Sequence, residues 1–250
     1  MGPDREDLGR EAGPVTPMND VLNILCAGAV QGIVKALDAR FERASGVHLQ
    51  ARFGAVGAMK EALLGGAACD VMIVTDAMVD TLQAEGALDP ASRAPLGRVR
   101  TGMASRAGEP VPDVSTPDAL RAALLAATAI YFPDPHRATA GIHFASVLGR
   151  LGIDEAVAER VRNFPNGATS MHELAQAGRG AIGCTQITEI LYSPGIALAG
   201  ALPDAFELAT VYTAAVTASA AQPVLAQQFI ALLAGPETRA LRAESGFEFR

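Results

Sequence analysis

Basic residues are few and scattered in this chain: 20 Lys and Arg against 27 Asp and Glu in 250 residues, for a formal net charge of −7. Without a basic cluster, nucleic acid and anionic membrane surfaces are excluded as partners, and any anion that binds must be held by local groups. Cysteine is also sparse. Cys26, Cys69 and Cys184 are odd in number, far apart and set in apolar sequence, which fits buried free thiols and excludes a disulfide framework. His48, His136, His143 and His172 show no ligand spacing with Cys or carboxylates, so no metal site is expected. Gly54-Ala55-Val56-Gly57 lacks the Lys-Ser/Thr of a phosphate-binding loop, and no GxGxxG follows the first apolar strand, so no nucleotide or other cofactor is expected. Residues 1–19 are polar, carry Pro3, Pro14 and Pro17, and contain no apolar run. They lack a secretory core or membrane span, and read as a disordered arm on a cytoplasmic protein, with Met18 as an alternative start. No solenoid repeat or low-complexity tract occurs.

What is present is a chain that is 50% apolar with positive mean hydropathy, long enough to bury a large core or two smaller ones without staples. Strand and helix signals alternate from end to end, the pattern of an α/β protein with mostly parallel sheets. Asn23–Ala29 reads as a strand running into a small-residue turn. Val30, Ile33, Val34, Leu37 and Phe41 then have helical spacing, stopped by Gly46. Val47, Leu49, Ala51 and Phe53 alternate as a strand, Ala58–Leu64 reads as a helix, and Asp70–Thr75 as a buried strand. A segment rich in Pro, Gly and Arg follows from about residue 93 to 118, with a strand at Arg98–Ala104 inside it. Alternation then resumes: a helix at Pro117–Ala127, a strand at Ala129–Phe132, and a helix bearing Phe144, Val147, Leu148 and Leu151. Farther on are a helix opened by Asn166-Gly167-Ala168-Thr169-Ser170, a strand at Ala181–Cys184 ending in Thr185-Gln186, a strand-like run at Leu208–Ala218, and a helix with Leu225, Phe229, Leu232 and Leu233.

In an open α/β sheet the ligand sits beyond the carboxyl ends of the strands. Two of these ends share one design, a strand, a turn of small residues and a helix: Ala27-Gly28-Ala29 and Gly54-Ala55-Val56-Gly57. Small residues let a ligand approach the free N–H groups of the helix N-terminus, where an anion is favoured. Gly28, Ala29, Gly54, Ala55 and Val56 are therefore candidate binding residues. The second half adds Arg137 and Thr139, then Thr169 and Ser170, then Thr185 and Gln186, each set beside a strand end or helix start. Arginine with hydroxyl and amide groups suits an organic di- or tricarboxylate. Read structurally, Thr139, Thr169 and Ser170 are helix caps and Arg137 a solvated loop charge.

The series Ala27-Gly28-Ala29, Ser45-Gly46-Val47, Phe53-Gly54-Ala55-Val56-Gly57, Cys69-Asp70-Val71-Met72-Ile73 and Tyr131-Phe132-Pro133-Asp134-Pro135 resembles the periplasmic molybdate-binding proteins. The resemblance spans about Val21–Phe247. It implies a two-lobed type II periplasmic-binding-protein fold, each lobe a mostly parallel sheet flanked by helices, with two crossover strands and an anion in the cleft. Lobe 1 is then residues 20–98 and 211–250, and lobe 2 residues 99–210. In that family serines in the first two turns bind the oxyanion. Ala29, Ala55 and Val56 stand at the matching positions, so the expected ligand is a small carboxylate and not molybdate. The leading expectation is a binding protein for that anion, with an ABC permease as partner only if the chain is exported. The alternative is an enzyme on the same fold, resembling aconitate isomerase, that shifts a proton in an unsaturated carboxylate. Asp76, His136, Cys184 and Glu189 stand as candidate bases, with nothing to choose among them.

Overall fold

The computed structural model describes residues 21–249; the arm expected over residues 1–19 lies outside them. In chain order the elements begin β1 (Val21–Ala27), α1 (Gln31–Ser45), β2 (His48–Gly54), α2 (Val56–Leu64), β3 (Val71–Thr75), α3 (Asp76–Ala84) and β4 (Ala94–Arg106). The middle of the chain forms α4 (Pro117–Ala126), β5 (Ile130–Pro133), α5 (Thr139–Arg150), α6 (Asp154–Val157), β6 (Val161–Phe164), α7 (Gly167–Ala175), β7 (Ile182–Gln186), α8 (Ile187–Tyr192) and β8 (Ile196–Ala201). It closes with β9 (Ala209–Val216), α9 (Pro223–Ala234) and α10 (Arg239–Glu244).

Local chemistry accounts for the first unit. Ile33, Val34, Leu37 and Phe41 form the buried face of α1, the spacing of one helical stripe. Gly46 closes the helix in the left-handed region at φ 72°, its N–H donating to the Glu42 carbonyl at 2.8 Å, a conformation that costs glycine little. The first strand is shorter than its sequence pattern, since Gly28–Val30 wind into a 3-10 turn ahead of α1.

The strand order is β2-β1-β3-β9-β4-β7-β5-β6, with β8 also on β4. Strands joined through helices pair in parallel, β1 with β2 and β3, and β5 with β6 and β7. The pairs involving β4 or β9 are antiparallel. The thirteen residues of β4 explain the architecture: Ala94–Arg100 pair with β9, and Thr101–Ser105 pair with β7. The core changes along that strand. Val99 belongs to an apolar cluster drawn from residues 22–99 and 212–247, whereas Met103 belongs to one drawn from residues 103–206. Two lobes, each with its own core, are thus joined by β4 and β9.

Buried polar groups tie lobe ends together. Asp70, 1% exposed, accepts the N–H groups of Asn23 at 2.9 Å and Gln222 at 3.0 Å, fixing the start of α9 against β1. The Arg242 guanidinium donates to the Leu96, Ala234 and Gly235 carbonyls at 2.5–2.9 Å, which satisfies acceptors at the end of α9. The three thiols are free and buried. Among the described residues no helix is long and apolar enough to cross a membrane.

Candidate functional site

The carboxyl ends of β1, β2, β5 and β7 open on one narrow interlobe cleft. Gly28, Ala29, Gly54, Ala55 and Val56 line it from lobe 1, and Thr139, Thr185 and Gln186 from lobe 2. Three helices begin at its wall with an extended alanine that provides no side-chain cap: Ala27 before the 3-10 turn into α1, Ala55 before α2, and Ala138 before α5. Their first N–H donors are left free of side-chain partners, with the positive end of each helix toward the cleft.

Three residues expected in the site stand elsewhere. Arg137 points away from the cavity; its guanidinium pairs with Glu61 on α2 at 3.1 Å, and both side chains are more than half exposed. The Arg137 main chain instead closes the cleft mouth, its carbonyl accepting the Gly57 N–H at 3.1 Å. Thr169 and Ser170 serve the start of α7. The Thr169 N–H and hydroxyl both donate to the Asn166 side-chain oxygen, at 2.9 and 3.0 Å, and the Ser170 hydroxyl to the Asn166 carbonyl at 3.1 Å. Polar side chains at a helix start were taken up by the helix itself.

The residue that dominates the cavity is Glu189, one helical turn beyond Thr185 on α8, and only 6% exposed. The Thr185 hydroxyl donates to Oε2 at 2.5 Å, and the N–H groups of Gln186 and Ala168 also point to the carboxyl. Burial pushes its proton affinity up to about 7, against the lowering effect of those three bonds. Main chain closes on both oxygens. A Cβ at Gly28 would collide with Oε1, and one at Gly167 with Oε2 and the Thr185 hydroxyl. Glycine is needed at both positions for close approach, not for an unusual φ. Opposite stands Tyr212 of β9, 2% exposed, its hydroxyl raised well above its ordinary value by burial and by the Glu189 carboxylate. The Gln186 amide lies near that hydroxyl, but its buried nitrogen and oxygen make no full hydrogen bond within the described residues.

The other candidate bases are engaged or misplaced. The Asp76 carboxyl is pushed up by burial, but the bonds from Arg93 at 2.6 Å and Thr213 at 2.6 Å outweigh that and hold it below its ordinary value. His136 is exposed on the β5–α5 loop. Cys184 is fully buried in the core of lobe 2, and burial drives its thiol well above the ordinary range, which leaves no thiolate for chemistry.

Two α/β lobes, two crossover strands and helix N-termini converging on the intervening cleft define a solute-binding architecture of the periplasmic type. Residues 22–248 match the bacterial extracellular solute-binding proteins, and the chain belongs to that family. It is 27% identical over 243 residues to an aconitate isomerase of Pseudomonas sp, covering 95% of this chain and 89% of that protein. Among solved structures it is similar to the periplasmic molybdate-binding protein of Azotobacter vinelandii, with a TM-score of 0.77, 20% identity and coverage of 92% and 99% of the two chains. A sulfate-binding protein of Mycobacterium tuberculosis H37Rv has a TM-score of 0.67 at 18% identity, with 91% and 86% covered. These last two likenesses concern the fold.

Proposed function

We propose that this protein is an isomerase of an unsaturated polycarboxylate, which moves a proton between the two ends of an allylic system with Glu189 as the acid–base group. The observation that carries this reading is the enclosed carboxyl on the cleft wall with its proton affinity raised to about 7. A receptor gains nothing by burying a carboxyl beside its anion site, whereas a proton-transfer catalyst needs a group that both accepts and returns a proton near neutral pH. The likeness to an aconitate isomerase supports the substrate class.

The chemistry follows from the groups present. Substrate carboxylates dock on N–H groups at the starts of α1, α2 and α5, that of Gly57 excepted because it is bonded to the Arg137 carbonyl. Glu189 takes a proton from the saturated allylic carbon, and the electron pair of that C–H bond spreads through the double bond onto the adjoining carboxylate. The helix N-termini, already aligned, stabilise the charge as it develops. Return of a proton from Glu189 to the other end of the system completes the shift with no net redox change. A buried tetrahedral oxyanion would fare worse here, because Ala29, Ala55 and Val56 supply no hydroxyls and each unmade bond costs roughly 1–3 kcal/mol.

Proton NMR of cis- and trans-aconitate incubated with the protein tests the reading. Interconversion is expected with the natural chain and should fall about 10²- to 10⁴-fold in Glu189→Gln, the usual worth of a general acid–base group, while ligand binding persists. Tight binding without interconversion in the natural chain would overturn the isomerase and leave a carboxylate receptor.

A further inference from the structure

Given a carboxylate ligand in this cleft, as proposed above, we infer that each ligand molecule binds together with one proton, shared between its carboxylate and Glu189. Among the described residues the cavity wall carries no Lys, Arg or His, and its titratable side chains are Glu189 and Tyr212. Glu189 is confined, with the Gly28 main chain against one carboxyl oxygen and Gly167 against the other. A ligand carboxylate therefore meets an acidic group in an enclosed space that holds no cationic side chain. Two carboxylates in such a site do not both ionise, and the pair keeps a common proton to a higher pH than either group alone.

Among the described residues the surroundings of Glu189 supply no cation to cancel this. Thr185, Gln186, the Ala168 N–H and Gly28 are neutral. From β9 comes Tyr212, with Cys26 of β1 behind it, and both are held protonated by burial. Of the charged or titratable residues on other elements packed against α8, Lys35 of α1 lies over the Phe53 and Tyr192 rings, Arg106 of β4 pairs with Glu109, and His172 of α7 bonds Gln176, while Glu244 of α10 lines a separate pocket with Leu191 and Thr188. The helix starts attract the ligand through partial charges only. A shared proton also suits the chemistry: when it rests on the substrate, Glu189 is left ionised as the base, and the charge that develops on proton removal is partly neutralised in advance.

Calorimetric titration with propane-1,2,3-tricarboxylate, a saturated analogue that has no allylic proton to move, reads the effect at pH 8 in two buffers of different ionisation enthalpy. Uptake of between about half a proton and one proton per ligand is expected, with affinity falling up to about tenfold per pH unit above 7. Glu189→Gln should bind the same analogue without that uptake. Binding by the natural chain with no proton uptake at pH 8, or uptake equal to that of Glu189→Gln, overturns the inference while leaving the isomerase open. Failure of the analogue and of aconitate to bind at all overturns the carboxylate reading itself. The pH dependence of affinity in the natural chain decides the matter even if the variant folds poorly.

Discussion

Three uncapped helix starts on the cavity wall contrast with three capped starts elsewhere in the molecule. Away from the wall, α6 and α10 start without a side-chain cap, but Thr75 accepts the Met78 N–H at 3.3 Å, Thr116 the Ala119 N–H at 3.1 Å, and Asp89 the Ala91 N–H at 2.9 Å. On it, Ala27, Ala55 and Ala138 occupy the same position and cap nothing. A missing cap costs about 0.5–2 kcal/mol, so three together are a substantial sacrifice of stability. The α7 start is instructive as an exception. Asn166 caps it, and the N–H of Ala168 is already directed at Glu189. One helix terminus thus holds the protein's own carboxyl, while three have N–H groups without a side-chain cap to offer the carboxyls of a ligand. The three uncapped alanine starts that share the wall give up cap stability there, as expected of a binding surface that leaves donors for a ligand.

The largest test of that contrast lies in Glu189. A carboxyl with a raised folded-state proton affinity is neutral in both folded and unfolded chains below about 4.5, so it has no effect there. Between 4.5 and about 7 the unfolded chain releases the proton and the folded one retains it, which favours unfolding increasingly as pH rises. Above 7 the cost is complete, on the order of 3 kcal/mol. Glu189→Gln is therefore expected to melt close to the natural chain at pH 4.5 and several degrees above it at pH 8. A melting difference that does not change with pH would mean that the carboxyl is not burdened as its surroundings indicate.

Next in size is Ala138→Asp, which converts an open start into a capped one. The new carboxylate occupies the N–H groups of α5 and places a like charge on the cavity wall, which should weaken binding of a carboxylate about a hundredfold, roughly 2–3 kcal/mol. Thr116→Ala is the matching control on a start outside the cavity. It should lower stability by about 1 kcal/mol and leave affinity unchanged. Equal effects of the two changes on affinity, measured by calorimetry, would erase the distinction between the two kinds of start.

Much of this arrangement is legible in the sequence, and the reasons for the rest are physical. The apolar stripe of α1 and the run Val71–Val74 announce their elements through spacing alone. The rule that ligands sit beyond strand ends picks out Gly28, Ala29, Gly54, Ala55, Val56, Thr139, Thr185 and Gln186, all of which line the cavity. Short elements leave no periodic trace, and α8, six residues long and continuous with β7, is one of them. That helix carries Glu189. Nothing near Glu189 in the chain distinguishes it from Asp76 or His136, because its burial comes from Gly28 and Gly167, distant in sequence, closing over its oxygens. Tyr212 lies inside a strand whose pattern is plain, yet its place opposite the carboxyl depends on β9 crossing between the lobes. Thr169 and Ser170 look like ligand donors for the same reason that they make good helix-start residues.

Arg137 offers the smallest effect and a sharp check on where the cavity wall ends. Its neighbours in sequence, Ala138 and Thr139, line the cleft, but its guanidinium reaches out to Glu61 across the mouth, with side chains 54% and 58% exposed. An ion pair of that kind is screened by water and salt and contributes about 0.2–1 kcal/mol at most. The contact that draws the two lobes together there belongs to the main chain, from the Gly57 N–H to the Arg137 carbonyl, and survives replacement of the side chain. Arg137→Ala should therefore change carboxylate affinity less than about fivefold, and the residual effect should shrink in high salt. A loss of a hundredfold or more would show that the guanidinium turns inward to meet the ligand, and the cleft would then have a cation after all.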